Sequence, residues 1–64
     1  MNFIEAVQAV KEGEKITRGV WNDKGVYCAL HEGTLQIFLT DKAWHSWIIS
    51  ESDIYARDWE TVAD

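Results

Sequence analysis

The sequence predicts an α+β domain, an N-terminal helix packed on a small antiparallel β-meander of four to five strands. Three observations lead there. Apolar residues recur with a helical period across residues 3–12. From residue 16 onward, β-rich runs alternate with turn signals about every eight to ten residues. The 64 residues hold no proline, no low-complexity stretch and no repeat, so residues 1–64 read as one small domain without a linker.

The helix comes first. Phe3, Ala6, Val7 and Val10 stand at i, i+3, i+4 and i+7, which places them on one face. Asn2 is a good N-cap, and Glu5 sits three residues later, where its side chain can close a capping box. Gly13 supplies the left-handed residue that ends the helix, with Lys11 favourably placed in the last turn. About three turns are too few to be stable alone in water. The apolar face therefore docks on a sheet.

Residues 16–21 (Ile-Thr-Arg-Gly-Val-Trp) are the first strand candidate, and Asn22-Asp23-Lys24-Gly25 is a turn in which Gly25 can take positive φ. Residues 26–31 form a second strand, Glu32-Gly33 a second turn, and residues 34–39 a third strand with Leu35, Ile37 and Leu39 on one face. Residues 40–43 turn the chain into a fourth strand, 44–49. If Asp41-Lys42 is a two-residue loop, Leu39 opposes Trp44 and Phe38 opposes His45; a slip by one would exchange the faces. Trp44 and Trp47 then point to opposite sides, one into the core and the other to an interface or pocket. Ser50 or Ser52 caps a short helical turn through residues 53–57, and residues 59–62 close the sheet as a short strand.

A chain this short has a marginal core, and nature usually adds disulfides, a metal or a partner subunit. Cys28 is the single cysteine, so no internal disulfide forms, and a lone thiol fits a reducing compartment. Self-association is the remaining support, and a homo-oligomer is expected. The net charge is −5, with eleven acidic and six basic side chains, which disfavours binding to nucleic acid. No apolar run is long enough to span a membrane, and no basic n-region precedes an apolar stretch, so the expectation is a cytoplasmic protein.

Candidate chemistry is sparse. Cys28 and His31 form a C-x-x-H pair, but three residues apart on a strand they point to opposite faces, so no metal site is expected. No nucleophile–base–orienter spacing is recognisable, and neither phosphate-loop pattern occurs, so no enzyme activity and no cofactor are expected. Arg18, Trp21, Asn22 and Lys24 are the informative cluster. A fork donor, an aromatic plate, an amide and a cation within seven residues suit a purine-containing ligand with phosphate. The bland alternative is an ordinary strand and turn with Trp21 in the core.

The run Met1-Asn2-Phe3, Glu5-Ala6, Lys11-Glu12-Gly13, Lys15, Arg18, Trp21-Asn22, Lys24-Gly25 resembles the N-terminal signature of a family of short phage and prophage proteins. That family includes the second type of Thoeris anti-defence protein and a reported inhibitor of type II CRISPR nucleases. The C-terminal signature is matched by Trp47 and by residues 50–62, which carry Ser50, Asp53, Ala56 and Asp58-Trp59-Glu60 in the family's order. The two blocks cover more than half of the chain. The sequence departs from its relatives in being shorter between the second and third strands, and in carrying Ser52 where Gln-Thr is usual.

The resemblance implies a homo-oligomer with pockets at or near subunit interfaces. It implies capture of a cyclic nucleotide or glycocyclic ADP-ribose immune signal without cleavage. Carried onto this chain, it implies stacking by Trp21, hydrogen bonds from Asn22, phosphate contacts from Arg18 and Lys24, and a place at the ligand for Trp47 and Asp53. Asp53 and Asp58 suit ribose hydroxyls or, the preferred reading, ordering of their loop, and Trp59 suits the core. The alternative function is a protein-binding inhibitor of a host defence nuclease, in which the acidic surface mimics DNA. A third is an assembly module with no ligand.

Overall fold

Helix α1 spans Phe3–Lys11 and begins at the expected capping box: Asn2 Oδ1 accepts from the Glu5 N–H at 2.9 Å, and Glu5 Oε1 accepts from the Asn2 N–H at 2.9 Å. It ends at Gly13, whose φ of 94° lets the Gly13 and Glu14 N–H groups turn back onto the carbonyls of Val10 and Ala9. The computed structural model describes residues 1–62, apart from the side chains of Asn22 and Asp23.

Five strands follow: β1 (Lys15–Arg18), β2 (Tyr27–His31), β3 (Thr34–Phe38), β4 (Trp44–Ser46) and β5 (Trp59–Val62). They form one antiparallel sheet in the order β4-β3-β2-β1-β5. The first four are a meander. The chain then returns through helix α2 (Glu51–Tyr55) to lay β5 on the far side of β1, pairing Lys15 with Val62 and Arg18 with Trp59. The expected α+β class, helix on meander, is the fold observed.

α1 lies against β1, β2 and β5. Its buried residues Ala6, Ala9 and Val10 meet Ile16, Cys28 and Trp59 from the sheet. Two alanines in that seam let helix and sheet approach closely enough to enclose the Trp59 indole, which is 1% exposed. A buried indole removes roughly 200 Å² from water, so Trp59 contributes more gross burial than any other side chain in this seam.

Three local expectations are corrected. β1 stops at Arg18, and residues 19–21 are not strand: Gly19–Lys24 is a 3-10 helix that ends at Gly25 with φ 71°. The reason is a distant competitor for its backbone, Asp58, described below. The β3–β4 register is one residue away from the two-residue loop: Phe38 opposes Trp44 and Ile37 opposes His45. Here Lys42 takes φ 62°, its N–H donates to the Leu39 carbonyl, and Leu39 N–H donates to the Ala43 carbonyl, closing a three-residue loop. The slip puts Trp44 on the side of Phe38 and away from Ile37. Finally, β4 ends at Ser46, before Trp47.

Candidate functional site

The cluster around Arg18 is built by three elements. Arg18 is the last residue of β1 and the N-cap residue of the 3-10 helix. Its Nε donates to Asp58 Oδ1 at 3.1 Å and its Nη1 to Asp53 Oδ1 at 3.2 Å, while the guanidinium carbon stands 5.7 Å from the Trp21 ring centroid. Asp58 lies just before β5. Asp53 lies in α2, where its Oδ2 accepts from the Ser50 N–H and its own N–H donates to Ser50 Oγ, a second capping box. Asp53 is buried, so its charge is tolerated only because Arg18 and the cap satisfy it.

The rings continue inward from Arg18. Trp21 meets Trp59 edge-on at 5.4 Å, and Trp59 meets Trp47 at 5.7 Å and Phe3 at 5.9 Å. Trp59 is the hub. Its Nε1 donates to the Asp53 carbonyl at 3.0 Å, and its own carbonyl accepts from the N-terminal ammonium at 2.8 Å. Trp47 is thus on the core side, packed on Phe3 and Trp59, and its buried indole N–H meets no acceptor among the described residues.

Of the six residues singled out from sequence, the fold brings Arg18, Trp21 and Asp53 together and joins Trp47 to them through Trp59. Lys24 is exposed at the far end of the 3-10 helix from Arg18. The Asn22 side chain lies outside the described residues. The Arg18 guanidinium, expected at a phosphate, is held by two protein carboxylates. Asp53, offered both as a ligand contact and as an organiser of its loop, bonds Arg18 with one oxygen and the α2 cap with the other.

The Asp58 carboxyl is pushed up by desolvation, but the Arg18 hydrogen bond and charge outweigh this and hold it below the ordinary carboxylate range. A group so depressed contributes its stabilisation at all pH values above its ordinary range. That contribution is lost only as pH falls through the lowered value. Cys28 behaves oppositely: burial first, then the Asp53 charge, push its thiol up to about 12. It sits beneath α1, whereas His31 stacks on Trp44 at 4.4 Å on the other face, so the C-x-x-H pair is split by the sheet.

A second cluster was not legible beforehand. Tyr27, His31, Phe38 and Trp44 gather on the sheet face opposite α1, with Tyr27–Phe38 stacked at 5.2 Å and the Lys15 ammonium 5.2 Å from the Tyr27 centroid. Alternation alone pairs Tyr27 with His31, and the register slip hid Trp44 from them. A shallow groove of about 290 Å³ runs along α1, lined by Phe3, Ile4, Val7, Gln8 and Lys11. None of the six sequence-derived site residues lines it.

Comparison with known proteins decides the family. A sequence model described as the Thoeris anti-defense 2-like domain matches residues 1–62. The chain belongs to the Thoeris anti-defense 2-like family. It is similar to "Thoeris anti-defense 2" of Bacillus phage SP01, at 25% identity over 85 aligned positions that cover 98% of this chain and 96% of the relative. The alignment is longer than the 64 residues here, so the relative carries residues that this family member lacks. The signatures at the two ends now have structural meanings. Asn2 and Glu5 cap α1, Ser50 and Asp53 cap α2, and Asp58-Trp59 brings a carboxylate to Arg18 and an indole to the core.

Proposed function

We propose that this protein is a phage anti-defence protein directed against Thoeris, and that it works by sequestering a nucleotide immune signal, glycocyclic ADP-ribose or a cyclic nucleotide, without cleaving it. The observation that carries this reading is the family match across residues 1–62, with the relative from Bacillus phage SP01 named for anti-Thoeris defence. The geometry lends support at the rim formed by Arg18 and Trp21, with Lys24 exposed at the other end of the same short helix. Trp21 is half-buried, held in a T-shaped contact by Trp59 and with the Arg18 guanidinium over its ring, which gives the indole a settled direction for stacking with a base or ribose. Lys24, exposed on the same helix, is the cation better placed than Arg18 to meet a phosphate.

Assembly belongs to the same proposal. Among the described residues the buried apolar core is small, while Ile4, Ile48 and Tyr55 are 79%, 88% and 73% exposed. Apolar surface of that kind on so short a chain suits contact with further copies, and a second copy would close the rim into a pocket. Sequestration asks for no catalytic residue; it asks for tight binding. A nanomolar dissociation constant is about −12 kcal/mol, and micromolar protein then removes nearly all free signal. In this reading the protein acts in the cytoplasm of the infected cell.

The test is a calorimetric and thermal-shift screen against glycocyclic ADP-ribose isomers and cyclic di- and trinucleotides, with the compound recovered after denaturation and the particle mass measured by light scattering. Binding of one compound, returned intact, by a particle of several chains is the expected result. A flat panel overturns it, and co-purification with a host nuclease would instead favour a protein-binding inhibitor.

A further inference from the structure

The 3-10 helix that carries Trp21 starts without a cap of its own. Its N-cap residue is Arg18, whose side chain makes no capping bond, and the first N–H groups of any helix lack internal partners. Short 3-10 segments are weakly held by their own hydrogen bonds. Here a residue about forty positions away does the capping. The Asp58 carbonyl accepts from the Gly19 N–H at 3.0 Å, and its Oδ2 accepts from the Val20 N–H at 3.4 Å. Its Oδ1 meanwhile takes Arg18 Nε at 3.1 Å, and Arg18 lies over the Trp21 ring. Gly19 fits against this carboxylate: a Cβ at that position would come 3.4 Å from Oδ2 and 3.6 Å from the Asp58 Cβ.

We infer that Asp58 is a positioning residue for Trp21, capping the 3-10 helix from across the sheet and fixing the direction of the indole plate. As far as the ligand is concerned, this rests on the functional reading above; the positioning itself does not. The cap and the plate are adjacent in the chain, since Trp21 directly follows the last N–H that Asp58 holds. Trp59, the neighbour of Asp58, packs against the same ring in a T-shaped contact at 5.4 Å. One dipeptide, Asp58-Trp59, thus holds both the backbone entering Trp21 and the ring itself. Asp58 is partly exposed and its loss leaves the Arg18–Asp53 pair in place, so the fold survives its removal.

The experiment labels the four tryptophans with 5-fluorotryptophan and assigns the Trp21 signal with a Trp21→Phe variant. In Asp58→Ala the Trp21 fluorine signal shifts and broadens while that of Trp44, on the opposite face of the sheet and assigned with a Trp44→Phe variant, stays within its linewidth. In Asp58→Asn, which keeps one acceptor oxygen, it lies between. For whichever nucleotide the wild type binds best in the panel, Asp58→Ala lowers affinity at least tenfold and Asp58→Asn restores part of it. An unmoved Trp21 signal in folded Asp58→Ala overturns the inference, as does full affinity with a displaced signal. If the wild type binds no nucleotide, the functional reading falls, and the fluorine signals alone decide the positioning.

Discussion

Single side chains hold this domain at a few points where charge and burial meet. Asp53 is the clearest: one carboxylate caps α2 and neutralises Arg18, while its backbone carbonyl receives the Trp59 indole. Removing the carboxylate leaves a partly buried guanidinium short of a partner and an open helix cap. Asp53→Ala therefore costs about 3 kcal/mol of stability by chemical denaturation, and Asp53→Asn, which keeps an oxygen for the cap, about half of that. Cys28 gives a second check at this scale. Buried and with its thiol pushed up to about 12, it stays protonated and shielded at neutral pH. It reacts with a thiol reagent on the timescale of unfolding, and promptly only in denaturant; rapid labelling of the folded protein would contradict the packing described. What the sequence disclosed at this scale was local. Arg18 and Trp21 were picked out together as ligand-binding types, but on the expected strand residues three apart point to opposite faces, and they meet only because the segment is a 3-10 helix. The carboxylates that engage Arg18 lie 35 and 40 positions away, and no spacing rule connects them.

Elements were legible where their signals were short-range. The α1 capping box reads directly from Asn2 and Glu5, and its removal is measurable: Asn2→Ala costs about 1 kcal/mol, read as a lower denaturation midpoint with an unchanged slope. α2 was legible in part: Ser50, one of the two caps offered, is the cap, but the helix runs over Glu51–Tyr55 where 53–57 was expected, and the part of Asp53 in the capping box was not read. Two elements escaped. Val20 and Trp21 have strand-like side chains, yet their segment is a 3-10 helix because Asp58, 38 residues on, takes the N–H of Val20. β4 kept its existence but lost its register because Lys42 adopts a left-handed conformation that neither Gly nor Asn advertises. That single residue moved Trp44 to the face of Tyr27 and Phe38 and built the aromatic cluster on the open side of the sheet.

At the scale of the whole molecule, β5 is the organising strand. It joins the far edge of the meander, delivers Trp59 to the seam under α1, and brings Asp58 to the start of the 3-10 helix. The two sequence signatures at the ends of the chain meet there: α1 and the Arg18–Trp21 segment from the first, α2 and β5 from the second. The central claim, capture of an intact nucleotide signal, is most directly tested by titrating purified protein with glycocyclic ADP-ribose isomers and cyclic nucleotides in a calorimeter and recovering the compound after denaturation. The account predicts saturable binding of one compound, a rise in melting temperature that grows with its concentration, and its return chemically unchanged. No heat and no shift across the panel, or recovery of a cleaved product, would contradict it.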